Sequence, residues 1–242
     1  MTATIASAAA RALLGRRRTL LLVLFAAVPV LVALVARDRG PNATETAAEV
    51  IDLLVVRAVL PITALVLGTA ALGSELEDGT AIFLLTSPMP RWKIIAAKLI
   101  VAGGGTALVA GGSALLAGLV VAVDGPSLSL VAGALVAVIV GSLVYAALFL
   151  AASVITNRAL ILGLIYTLVW EGTLASLFAG TRFLSVRQYV LSIADGLDGT
   201  AAHPFGDTLD MISAVVLAAI VLVLALAVAV DRLRSWEIGP AD

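Results

Sequence analysis

Long uncharged runs alternate with short polar connections along this chain. Thr19 to Ala36 carries no charge for 18 residues, Ala58 to Ser74 for 17, Leu99 to Val123 for 25 and Ser127 to Thr156 for 30. Ala159 to Ala179 is apolar except for Glu171, and Ile212 to Val230 is the cleanest run. A helix of 18 residues is about 27 Å long, close to the hydrocarbon thickness of a bilayer. Lipid offers the backbone no hydrogen bonds, so runs of this length predict helices. The pattern predicts an all-α integral membrane protein with six transmembrane helices, at about 19–36, 50–74, 94–123, 127–156, 159–179 and 211–230. These form a single transmembrane domain over residues 1–242, which begins with an interfacial segment at 1–18 whose "RALLGRRR" suits anionic headgroups. The first apolar run is expected to be a retained helix. It is longer than a signal-peptide core, and Leu34 stands where cleavage wants a small residue.

Basic residues set the orientation. With the N-terminus inside, the inner segments hold Arg11, Arg16, Arg17, Arg18, Arg91, Lys93, Lys98, Arg158, Arg232 and Arg234. The outer ones hold Arg37, Arg39, Arg57, Arg182 and Arg187, which makes ten against five. The positive-inside rule then places both termini in the cytoplasm. It also makes residues 75–93 the one sizeable inner loop and 180–210 the main outer loop.

Composition agrees with bilayer embedding. The 242 residues are 62% hydrophobic and 13% charged, where a soluble domain has about a quarter of its residues charged. There is no Cys, which removes disulfides and thiolate sites, and the net charge of -1 argues against a nucleic-acid partner. The lone His203 makes a metal site improbable. No phosphate-cradling G-x-x-x-x-G-K-[ST] loop occurs, so the chain is expected to bind no nucleotide itself.

The inner loop, "SELEDGTAIFLLTSPMPRWKIIAAK", concentrates six charges around a short apolar core. Asp78-Gly79 is a turn signal, and Thr80 can cap a short helix through Ile82, Phe83, Leu84 and Leu85. Ser87-Pro88 reads as the start of the next helix, with Arg91, Lys93 and Lys98 at headgroup level. Such a segment either lies in the interface or docks into a groove on a soluble partner.

The loop resembles that of the permease subunits of ATP-binding cassette (ABC) transporters of the type-2 exporter class. The matching positions are Glu75, Gly79, Thr80, Leu84, Leu85, Thr86, Ser87, Pro88, Arg91 and Lys98. A second stretch, Leu168 to Tyr189, is similar to that family's fifth helix and outer loop. The resemblance implies a short cytoplasmic coupling helix between the second and third spans. Glu75, Glu77, Asp78, Gly79, Thr80, Phe83, Leu84, Leu85, Pro88 and Arg91 would then form the contact with an ATPase subunit. It further implies two permeases, identical or related, with two ATPases that bind ATP and Mg. Export by alternating access across the cell membrane would follow. Apart from Glu171 the long apolar runs within the spans carry no charge, which suits an apolar or amphipathic substrate.

Three further features bear on function. Glu171 lies 13 residues past Arg158, about 20 Å along the helix and so in its outer half. It is either a gate or substrate contact on the translocation path, or a structural hydrogen-bond partner for a neighbouring helix or the outer loop. Gly103, Ala107 and Gly111 recur every fourth residue, a stripe that lets another helix pack closely. Ser185 to Asp198 has apolar residues at three- and four-residue steps, with Ser185 and Gln188 as a capping box. This predicts an amphipathic outer helix between the fifth and sixth spans, able to close the exit or simply cover helix ends. A non-transporting scaffold or sensor would share these spans and lack only the ATPase. An intramembrane enzyme would need a nucleophile and base, or metal ligands, that the spans lack.

Overall fold

The structure is a computed structural model that describes residues 16–37, 43–77, 90–122, 128–156, 158–174, 183–198, 204–205 and 209–235. Among them the regular elements are all helical. Helix α1 is Arg16–Ala36. Helix α2 (Ala43–Val50) continues through a π-helical segment, Ile51–Val59, into α3 (Leu60–Glu77). Helix α4 (Arg91–Thr106) likewise continues through Ala107–Gly111 into α5 (Gly112–Ala122). Then follow α6 (Leu128–Ile155), α7 (Ala159–Ile165) with a third π segment at Tyr166–Leu174, α8 (Val186–Asp198) and α9 (Met211–Ser235).

Four continuous helices are long and apolar enough to cross a bilayer: Thr44–Leu72, Arg91–Val121, Leu128–Ile155 and Met211–Leu233. Two shorter apolar helices, Leu20–Ala36 and Ala159–Thr173, accompany them among the described residues. The second span therefore begins at Thr44 rather than at about residue 50, because α2 and the first π segment join α3 end to end.

Helix α6 is the hub and packs against α3, α4, α5, α7, α8 and α9. Small residues make this crowding possible. A Cβ on Gly103 of α4 would stand 2.8 Å from Leu143 Cδ2 of α6, and one on Gly111 3.2 Å from Leu135 Cδ1. Both glycines of the predicted stripe thus face α6, with the half-buried Ala107 between them at the start of the second π segment.

The core has two layers. One joins Val55, Leu60, Ala117, Leu130, Val138, Tyr189, Ile193 and Ala218. The other joins Leu22, Leu72, Ile94, Leu150, Val154 and Leu233, so one end of the bundle gathers the start of α1, the junction between α3 and α4, and the ends of α6 and α9. Lys98, expected at headgroup level, turns its side chain into the bundle. It is buried, because it shares a helix face with Ile94, Ile95 and Ala102, which pack into this layer.

Helix α8 is not a surface helix. Nine of its residues are buried: Val186, Tyr189, Val190, Leu191, Ser192, Ile193, Ala194, Asp195 and Asp198. It lies in a groove that glycines open along α6. A Cβ on Gly133 would stand 3.0 Å from the Ala194 carbonyl, and one on Gly141 2.4 Å from Val190 Cγ2. The Asp198 end lies at the start of α6, where Ser129 donates to Asp198 Oδ1 at 3.0 Å. The Val186 end therefore sits about 20 Å along α6, deep inside the bundle.

Candidate functional site

The N-terminus of α8 is where the buried polar chemistry converges. Ser185 caps the helix as its spacing predicts, its Oγ accepting from the Gln188 N–H at 3.2 Å. The first backbone N–H groups of a helix have no partner within it. Here Glu171 supplies the acceptors. Val186 N–H donates to Glu171 Oε1 at 2.8 Å and Arg187 N–H to Oε2 at 3.3 Å. The Ser185 hydroxyl donates to Oε2 at 2.7 Å, and the Tyr166 hydroxyl to Oε1 at 2.8 Å. A carboxylate at a helix N-terminus is further favoured by the helix dipole. Glu171 is buried and all four neighbours donate to it, so burial is compensated by a complete set of hydrogen bonds. Trp170 Nε1 donates to the Leu184 carbonyl at 3.2 Å, and the Tyr189 hydroxyl bonds the Phe183 carbonyl. The Tyr145 hydroxyl of α6 is buried and forms no hydrogen bond of ordinary geometry.

A second contact grips the same turn of α8 from the other side. The Arg187 guanidinium donates from Nε and Nη2 to Asp52 Oδ1 at 3.1 and 2.8 Å, and from Nη2 to Oδ2 at 2.7 Å. Arg57 Nε stands 3.9 Å from Asp52 Oδ2. Arg187 thus ties two elements together, its backbone bonded to Glu171 and its side chain to Asp52. The planar fork of Arg suits this geometry, where Lys would offer a single point charge.

The π segments explain why these groups meet. Residues five apart in an α-helix point about 140° away from each other. A π-helix bonds i to i+5 and brings such residues onto one face. Tyr166 and Glu171 are one such pair, and Asp52 and Arg57 are another. Sequence reading placed Arg57 and Arg187 only as outer charges and did not single out Asp52. No spacing rule for α-helices would have done so, and Asp52 is 135 residues from Arg187.

The predicted ATPase contact lies largely outside the described residues: Asp78, Gly79, Thr80, Phe83, Leu84, Leu85 and Pro88, with Ser87, fall there. Glu75 and Glu77 end α3, and Arg91 begins α4, half-buried. Pro90 precedes that helix with φ -64° and ψ 133°, its carbonyl accepting from the Lys93 N–H at 2.9 Å. Glu171 bonds the start of α8 partway along α6, and none of these residues is among its donors.

A family model described as "ABC-2 family transporter protein" matches residues 14–179. The matched stretch takes in the inner loop and Glu171 and stops before α8. None of the curated proteins compared with the chain matches it.

Proposed function

Because the chain belongs to the ABC-2 transporter family, we propose that it works as the membrane-spanning permease of an ATP-driven exporter, coupled to separate ATPase subunits. The family match over residues 14–179 is the observation that carries this reading. It covers more than half of the 242 residues, including the loop expected to dock the ATPase. The helices lend support. Helix α3 ends and α4 begins at the end of the bundle that also gathers the start of α1 and the ends of α6 and α9. That end carries Arg16, Arg17, Arg18, Arg91, Lys93, Arg158 and Arg232, so the positive-inside rule turns it toward the cytosol.

In this reading six spans cross the cell membrane with both termini inside. The shorter apolar helices Leu20–Ala36 and Ala159–Thr173 serve as the first and fifth spans. Two permeases pair with two ATPases, which bind ATP and Mg. Phe83, Leu84 and Leu85 fill a cleft of the ATPase and carry its closure into the membrane. The cargo is apolar or amphipathic, since the spans offer so little charge.

The test is reconstitution with an ABC ATPase that co-purifies with this chain. ATP-dependent movement of a fluorescent amphiphile is expected, and Leu84→Asp should abolish both movement and stimulation of the ATPase. Normal stimulation in that variant would refute the coupling assignment. A purified chain that changes no ATPase's activity would favour the scaffold reading.

A further inference from the structure

Two π segments, in different parts of the chain, each present a carboxylate to the same turn of α8. Ile51–Val59 offers Asp52 to the Arg187 side chain, and Tyr166–Leu174 offers Glu171 to the backbone of Val186 and Arg187. Asp52 pairs with the Arg187 guanidinium and lies 3.9 Å from Arg57 Nε, while Glu171 accepts from the backbone of Val186 and Arg187. Along its length α8 rests on Gly133 and Gly141, which provide a groove without side chains of their own. Its inner end is therefore fixed by polar contacts drawn from two other helices.

We propose that Asp52, Arg187 and Glu171 form a two-point latch that holds α8 across the outer part of the bundle, and that the latch is released when the exit opens during transport. The proposal rests on the permease reading, with these three as positioning residues for the outer gate. The π segments make the latch breakable as well as specific. Asp52 and Glu171 reach α8 only while the wide turns persist. If either turn relaxes to the α-helical register, each residue swings by about 100° relative to the rest of its helix, and the contact is lost. π-bulges recur at functional sites in helical proteins for this reason.

The absence of cysteine allows a direct test. Ala194→Cys places a single thiol on α8 at a position 2% exposed, against Gly133. In sealed proteoliposomes a charged, impermeant maleimide should label it slowly. Adding Asp52→Asn or Arg187→Gln should raise the rate about tenfold or more, since loss of a charged hydrogen bond increases local opening by that factor. The reciprocal exchange, Asp52→Arg with Arg187→Asp, should return the rate to near that of Ala194→Cys alone. A purely packing role for α8 would not show this rescue. Arg187→Lys, which keeps the charge and loses the fork, should label at an intermediate rate, and it serves where the stronger variants fail to fold.

Equal labelling in Asp52→Asn, Arg187→Gln and the parent overturns the latch, as does native-rate labelling in Arg187→Lys or failure of the reciprocal exchange. In the complex with its ATPase, ATP trapped by orthovanadate should raise labelling of Ala194→Cys in the otherwise native chain. No rise refutes the gate. The first comparison needs neither ATPase nor cargo, so its failure leaves the permease reading standing, and failure of that reading leaves the labelling result intact.

Discussion

Glu171→Gln separates the geometry of the cap from mere occupancy of the space. Each carboxylate oxygen faces a backbone N–H that cannot turn away, Val186 at 2.8 Å on Oε1 and Arg187 at 3.3 Å on Oε2. A Gln amide replaces one oxygen by NH2. Either orientation then sets a donor against a peptide donor. The milder choice points the NH2 at Arg187 and keeps the shorter bond to Val186. The Ser185 hydroxyl, which donates at 2.7 Å, must then turn and accept while still accepting from Gln188. One charge-assisted bond is lost and one buried N–H is orphaned. A hydrogen bond to a charged group contributes about 1.5–3 kcal/mol and an unsatisfied buried donor costs about 1–3 kcal/mol. Part of this is recovered by local adjustment, which leaves a loss of about 2–4 kcal/mol. At about 2–4 °C per kcal/mol for a chain of this length, the Tm should fall by about 4–16 °C. The assay is thermal unfolding of the purified protein in one detergent at one scan rate, followed by circular dichroism. A Gln variant melting within about 1 °C of the parent would show that the four donors do not hold Glu171 as described.

Two further substitutions probe the same region. Gly141→Ala puts a methyl where Val190 Cγ2 lies 2.4 Å from the ideal Cβ, and overpacking of this kind costs about 1–3 kcal/mol. A drop in Tm is expected, and adding Val190→Ala should recover part of it; a double variant no better than the single would place the clash elsewhere. Tyr145→Phe removes a buried hydroxyl that lacks a hydrogen bond, so the Tm should hold or rise, where a fall would reveal a partner for that oxygen.

The bilayer-spanning character was legible because it depends on the length of uncharged runs, which any helix must obey. The glycine stripe at Gly103 and Gly111 was also legible, since close approach leaves a periodic mark. Helix α8 was readable as a helix, down to its Ser185 cap, but not as a buried one. Its polar positions look like a solvated face in sequence. In the fold they are taken up inside: Arg187 by Asp52, Ser192 by the Leu209 N–H at 2.9 Å, and Asp198 by Ser129. Lys98 misleads in the same way, because a charge near the end of an apolar run reads as a headgroup contact whichever face it occupies. The π segments left no trace at all. One extra residue per turn changes which side chains coincide, and no residue type marks where that happens. Glu171 was visible as an anomaly, but three of its four donors, from Ser185, Val186 and Arg187, lie 14 to 16 residues further on, and the fourth, Tyr166, meets it only through the π turn.

The slot that receives α8 has one wall made before it and one made after it during synthesis. Gly133 and Gly141 belong to α6, which precedes α8, while Met211 of α9, whose side chain crowds Gly196, and the Leu209 N–H follow it. When α8 leaves the ribosome, Glu171 is already waiting to take its first amides, yet the far wall does not exist. Until α9 is made, α8 can meet only what precedes it, Glu171 and Asp52 at its start and the glycines of α6 along one flank, and α9 then covers the other. Assembly of this bundle has an order written into it, with the last span acting as the door.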